Sequence, residues 1–370
     1  METKVSLNVE QELLVLLSRL TFSEENIERV KSLLDNGVTI NWFELYKLAL
    51  YHKTTTLVMN NLKRIFGKVG VPEYLNELME YAYKGIEKKN TLYATEIERL
   101  TKALKAGGVY VIPVKGAMLI PKMYKDMGVR YSADADFLVR YSDIDKLKDI
   151  LSKNGYIQGD FDASTQKVIP VSRFEEVKWK MNMSNLYPFV KPSNDTIIDA
   201  YKLDFRYALD DTLSVNPINK MIDFLEMFGE PNPAHILTHL CTHFYDEAKY
   251  SISLYIAKDM NIIKLCDIRE YILQFMNEAK LSECVNFAKE YGLQKQIYFT
   301  MFFLKLIYAD GYEKDVMHKL EIHDDTFLTT YGENSLNDKY TLKKNFMERL
   351  FSCNNADELA KAPKLLEKMN

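Results

Sequence analysis

Two long stretches of helical periodicity are interrupted by a run of a different kind. After the pair Gly107-Gly108, the segment Val109-Tyr110-Val111-Ile112-Pro113-Val114 sets apolar, mostly β-branched residues in succession between turn residues. It is too short for a helix and predicts a buried strand. Lys115-Gly116 ends it, and residues 117–124 return to a helical pattern. Residues 133–140 read as a second strand, and residues 143–154 as a helix closed by Gly155. Further strand-like runs lie at 167–171, 174–181 and 196–209. Strand–helix–strand–helix followed by consecutive strands predicts an α+β fold: a small mixed β-sheet core with helices on one face, flanked by N- and C-terminal helical regions.

The flanks carry no such runs. Leu13, Leu14, Leu17 and Leu20 recur at helical spacing, Ser23-Glu24-Glu25-Asn26 reads as a helix start, and Asp35-Asn36-Gly37 as its stop. Asn41 is placed to cap the amphipathic segment 42–50, and residues 74–105 form a longer charged and aromatic helix. Beyond Asn219 the helical segments are 221–228, 234–249, 251–264, 268–279, 281–291 and 294–308, with Gly229-Glu230-Pro231-Asn232-Pro233 as a break. After Gly311 short helices joined by polar loops are expected. The chain divides as 1–104, 105–216 and 217–370. Its 370 residues are 47% hydrophobic and 27% charged, enough for a sizeable core and against wholesale disorder. The net charge of -4 provides no domain-wide basic face, so a nucleic-acid partner is not expected. Cys241, Cys266, Cys284 and Cys353 include no CxxC pair and fit a reducing compartment. The start Met1-Glu2-Thr3-Lys4 lacks an apolar leader, and no run approaches eighteen apolar residues. A cytoplasmic protein without a membrane partner is expected.

Chemistry concentrates around the second strand. Alternation puts Asp134, Asp136 and Leu138 on one face and Ala135, Phe137 and Val139 on the other. Carboxylates at i and i+2 repel one another unless a cation or a basic partner neutralises them. Such an all-oxygen pair suits Mg²⁺, with Mn²⁺ as an alternative. An acidic pair at a strand end is as readily a solvated surface feature, so the neighbours decide. The N–H groups of the Lys115-Gly116 turn, with the helix that follows, make an anion seat to which Lys115 adds a phosphate contact. The plainer alternative is an ordinary turn with a surface lysine. Arg130 is placed to bind a phosphate or to brace the carboxylates.

Strand parity then separates two candidates for a third carboxylate. Ile198, Ala200, Lys202, Asp204 and Arg206 share one face, while Ile197, Asp199, Tyr201, Leu203, Phe205 and Tyr207 share an apolar one. Asp204 is therefore chosen, and Asp199 stays open if a bulge shifts the register. His235, His239 and His243 fall at i, i+4 and i+8 of one helix. Zinc binding there would lack the glutamate of an HExxH site, so histidines hydrogen-bonded in an interface are the simpler reading. Between the two stands a role for His239 or His243 in lining a nucleotide cleft. The 24 tyrosines and 19 phenylalanines read as core and interface.

The segments Val111-Ile112-Pro113-Val114-Lys115-Gly116-Ala117-Met118-Leu119, Tyr124, Gly128-Val129-Arg130, Asp134-Ala135-Asp136-Phe137-Leu138-Val139 and Asn154-Gly155-Tyr156 together resemble the uncharacterised nucleotidyltransferase family of the DNA-polymerase-β-like superfamily. Asn41-Trp42 with Leu48-Ala49-Leu50-Tyr51-His52 resembles its N-terminal helical region, Leu203-Asp204-Phe205-Arg206 its third acidic strand, and His239-Leu240-Cys241-Thr242-His243 its helix after the sheet. The similarity spans roughly residues 10 to 270. Gly116-Ala117 replaces the superfamily's usual glycine–serine turn, a replacement the family tends to share, while Ala135 stands for a larger aliphatic and Arg206 for a commoner histidine. The resemblance implies transfer of a nucleoside monophosphate from a triphosphate, with ATP expected, to an undefined hydroxyl or amine on a small molecule or protein. Taken with the readings above, Asp134, Asp136 and Asp204 are expected as Mg²⁺ ligands, and Lys115, Gly116, Arg130, His239 and His243 as nucleotide or phosphate contacts. The competing expectation is a protein that keeps the fold and binds nucleotide or a partner without turnover.

Overall fold

The computed structural model describes residues 7–35, 39–67, 70–256, 259–332 and 340–359. The expected helix stop at Asn36-Gly37 and the chain start at Met1 lie outside the described residues. By contacts the chain separates into two units, Met1–Tyr81 with Leu240–Asn370, and Ala82–His239.

The first unit is mainly helical. It opens with α1 (Val9–Leu17), α2 (Glu24–Asp35), α3 (Trp42–Tyr51) and α4 (Thr55–Phe66). Their starts follow from local capping: Asn8 and Gln11 form a capping box on α1, Ser23 Oγ accepts the Asn26 N–H, and Asn41 Oδ1 accepts the Glu44 N–H at 3.1 Å. Leu13, Leu14 and Leu17 are fully buried, as their spacing requires. A long helix, α5 (Glu73–Ala106), follows.

The second unit holds the sheet. Its six strands are β1 (Val111–Val114), β2 (Ala135–Val139), β3 (Ile157–Asp162), β4 (Lys167–Pro170), β5 (Phe189–Pro192) and β6 (Ala200–Arg206), in the order β1-β2-β6-β5-β3-β4. Only β2 and β6 pair in parallel, so the sheet is mixed as expected. Between strands lie α6 (Gly116–Leu119), continuing as a π-helical turn through Tyr124, then α7 (Ile144–Lys153) and α8 (Arg173–Asn182). After the sheet come α9 (Asn216–Phe228) and α10 (Pro233–Lys249), separated at Gly229. One sheet face, with Val111, Ala135, Phe137, Val139, Leu203 and Phe205, packs into a core with Tyr93, Ile97, Leu100 and Leu104 of α5 and Ile144, Leu147 and Leu151 of α7. Phe137 and Phe205 stack at 4.9 Å between ring centroids. Each such fully buried side chain contributes about 1.5–3 kcal/mol.

Residues 174–181 are a helix, not the expected strand. Ser172 and Glu175 form a reciprocal capping box that starts α8, and Phe174, Val177 and Met181 are left exposed. Val177, Trp179 and Met181 alternate as in a strand, whereas the S-x-x-E signature at Ser172 and Glu175 specifies the helix. Strands β3 and β5 were not expected, being short and weakly patterned. The expected helices 251–264 and 268–279 are instead α11 (Ser251–Tyr255) and α12 (Ile262–Phe275), followed by α13 (Glu278–Tyr291), α14 (Gln294–Ile307) and α15 (Tyr312–Lys319). These belong to the first unit, where Glu270 of α12 accepts the N–H groups of Leu20 and Thr21 at 3.0 and 3.3 Å. Among the described residues no disulfide is present, and no helix is long and apolar enough to cross a membrane.

Candidate active site

The polar residues of interest lie on the sheet face opposite the aromatic core. In the parallel β2–β6 ladder Asp136 is the direct partner of Asp204, while Ala135 and Phe137 pair with Leu203 and Phe205 on the core side. Neighbouring strands lie about 4.8 Å apart, so the two carboxylates occupy one rung. Burial pushes both above the ordinary carboxylate range. For Asp204 the adjacent Asp136 adds to the rise, and for Asp136 the nearby Asp134 does. Lys115 and Arg206 oppose the shift on both. Asp134 sits just before β2 and is half-buried. Asp199 precedes β6, is exposed, and has its carbonyl occupied by the Ser193 N–H at 2.8 Å.

Lys115 reaches this rung because β1 pairs antiparallel with β2, with Val114 opposite Asp136. Its Nζ lies 2.6 Å from Asp136 Oδ1. Its backbone has φ of 50°, in the left-handed region, which for a residue bearing a Cβ costs about 1–3 kcal/mol. Gly116 follows at a point of close approach. A Cβ there would lie 2.8 Å from Ser132 Cβ and 2.9 Å from Arg130 Nη1, so only glycine lets the 130–132 segment cross the turn. Arg130 is buried, and Asn90 of α5 holds its loop by donating to the carbonyls of Met127 and Arg130 at 2.7 and 2.8 Å. Ser132, which crowds Gly116, donates its Oγ to Asp134 O at 3.0 Å.

The other side of the rung is held by Asn185, whose Nδ2 lies 2.9 Å from both carboxylate oxygens of Asp204. Arg206 donates to Leu209 O at 2.8 Å and acts electrostatically on Asp136, Asp204 and His239. His239 is fully buried and its imidazole is pushed well below its usual range by burial, then by Arg206 and Lys115. Ala82–His239 thus contains Lys115, Gly116, Arg130, Asp134, Asp136, Asp204 and His239. His235 packs edge-on to Phe224, and His243, in the other unit, faces Glu247 one turn along α10 at 3.4 Å. Among the described residues no group of three His, Cys, Asp or Glu side chains is gathered as a metal cluster.

Sequence reasoning did not single out Asn185, Ser132 or Asn90. No local pattern marks them, since each acts on a residue that only tertiary folding brings near. Arg206 was noted as a departure without a role.

The chain belongs to the uncharacterised nucleotidyltransferase family, whose profile matches residues 39–309. That match begins and ends later than the stretch in which the resemblance was read. No curated protein and no solved structure matches the chain.

Proposed function

We propose that the unit Ala82–His239 moves a nucleoside monophosphate from a nucleoside triphosphate, ATP in the first instance, to a hydroxyl or amine of a small molecule or protein, with Mg²⁺ or Mn²⁺ as the metal. The observation that carries this reading is the Asp136–Asp204 rung with Lys115 on Asp136. Asp136 and Asp204 would hold the metal, because two desolvated carboxylates on one rung are a hard, all-oxygen donor set in need of positive charge, and Asp134, not gathered with them in this structure, would join as the third. When bound, the metal supplies neutralisation of phosphate charge and polarisation of the acceptor hydroxyl. Lys115 and the Gly116 N–H bind phosphate oxygens, and the Arg130 guanidinium beside Gly116 adds a second cationic contact. Asp204 takes the proton as the acceptor oxygen or nitrogen bonds to the α-phosphorus. The bond from the α-phosphorus to the bridging oxygen then breaks and pyrophosphate leaves. His239, neutral through burial, offers hydrogen bonding without added charge. His243 has no part in this reading.

Thermal stability measured with each nucleoside triphosphate, with and without Mg²⁺, tests the site. A metal-dependent rise that Asp136→Asn abolishes supports it, and no response to any triphosphate overturns it. The second reading, a nucleotide-binding protein without turnover, draws on the Lys115–Asp136 ion pair, which already supplies Asp136 with a cation. Triphosphate binding without pyrophosphate release across a panel of hydroxyl and amine acceptors would favour it.

A further inference from the structure

Asn185 lies outside the sequence motifs and is fastened from several sides. Its backbone bridges to Arg206, its carbonyl accepts the Trp179 indole N–H at 3.1 Å, and the next residue, Leu186, donates its N–H to Phe205 O at 2.8 Å. The residue is 8% exposed. The amide orientation is fixed by its neighbour, since only the NH₂ end can face a carboxylate favourably. That NH₂ meets both oxygens of Asp204 at 2.9 Å, and the other end, Oδ1, is buried without a hydrogen-bond partner. A buried asparagine placed for its own satisfaction would have paired both ends. This one gives up its acceptor to present its donors to Asp204.

We infer that Asn185 is a positioning residue for metal binding: its two hydrogen bonds hold the Asp204 carboxylate in one orientation on the rung it shares with Asp136, so that a divalent cation meets a preoriented group there. The inference rests on the metal site proposed above and adds to it a residue that touches neither metal nor nucleotide. A partner that orients a metal-binding carboxylate is worth about 10–100-fold in metal affinity. It acts only through the group it orients, and its effect disappears when that group is gone.

The test is Mn²⁺ binding to the full chain, followed by the loss of the free-ion paramagnetic resonance signal, for the wild type, Asn185→Ala, Asp204→Ala, the double variant and Asp136→Asn. Asn185→Leu, which keeps the branching of the side chain and removes its donors, serves as a second single variant should alanine unsettle the fold, and circular dichroism reports the fold of each. The expected result is about 10–100-fold weaker Mn²⁺ binding for Asn185→Ala and Asn185→Leu, with no further loss on adding Asn185→Ala to Asp204→Ala. Unchanged affinity in folded Asn185 variants overturns the inference and leaves the metal site standing. So does an equal loss in the Asp204→Ala background. If the wild type binds no more Mn²⁺ than Asp136→Asn does, the metal site falls and the inference with it.

Discussion

Lys115 Nζ stands 2.6 Å from Asp136 Oδ1, with both side chains largely buried. The lysine therefore supplies the positive charge that the Asp136–Asp204 rung needs when no metal is present. Lys115→Met removes that charge while keeping the length of the side chain. Its expected effect without metal is a loss of about 3 kcal/mol, the low end for a broken buried pair, because a fifth of the lysine side chain is exposed. Added Mg²⁺ should restore part of the lost stability in Lys115→Met and less in Lys115→Met/Asp136→Asn. Chemical denaturation with and without Mg²⁺ reads both effects.

The same rung makes Asp204 a liability in the metal-free protein. Its carboxyl is pushed up by burial and then by Asp136. A raised folded-state value means the folded chain favours the protonated form. That contribution is present at low pH and is lost as pH rises through the carboxylate range and beyond. Asp204→Asn removes the charge and keeps one of the two oxygens that accept from Asn185. Without metal it should melt above the wild type at pH 7, and the gap should close as both are taken to acidic pH. Each kcal/mol moves a transition by about 2–4 °C in a domain of this size. A variant that melts below the wild type at pH 7 would contradict the strain placed on this rung.

How much of this was legible in the sequence depends on the range of the signal. The apolar faces of β2 and β6 follow a period of two, so Phe137, Leu203 and Phe205 could be assigned to the core, and Asp204 could be set apart from Asp199 before any pairing was known. The register that sets Asp136 beside Asp204 has no local signature, because it arises from a parallel pairing between strands some sixty positions apart. The helix α8 does not follow the expected strand although its capping box is local: the alternation of Val177, Trp179 and Met181 imitates a strand. Asn185 had no signal, since its meaning lies in what β6 presents to it.

Gly116 is required by crowding rather than by backbone angle. A methyl group there meets Ser132 and the Arg130 guanidinium. Gly116→Ala should displace the 130–132 segment, which leads directly into Asp134. A stability loss of about 1–3 kcal/mol is expected, as for overpacking elsewhere. Triphosphate affinity should fall as well, because Arg130 and the Gly116 N–H move together. Calorimetric titration with ATP and Mg²⁺ checks the second effect, and retention of wild-type affinity would separate Gly116 from the phosphate seat.

Tyr156, the aromatic residue that ends the Asn154-Gly155-Tyr156 motif, donates its hydroxyl to Glu96 Oε1 at 2.8 Å. Lys191 of β5 lies 2.6 Å from the same oxygen, and Arg99 pairs with Glu96 one turn along α5. Burial alone would raise the Glu96 carboxyl, but the hydrogen bonds from Arg99, Lys191 and Tyr156 outweigh it and hold the group at about 2. A depressed folded-state value contributes stability that is complete above the unfolded value of 4.5 and is lost as pH falls from there toward about 2. The network ties α5 to the strands that follow α7, behind the sheet and away from the acidic rung. Tyr156→Phe removes one bond to a charged acceptor, for an expected loss of about 1.5–3 kcal/mol at neutral pH. Glu96→Gln should lose more, since three donors lose their charged acceptor. Its deficit against the wild type should shrink between pH 4.5 and about 2. Urea unfolding across that window checks the sign, and a deficit that grows on acidification would remove Glu96 as the charged centre of the network.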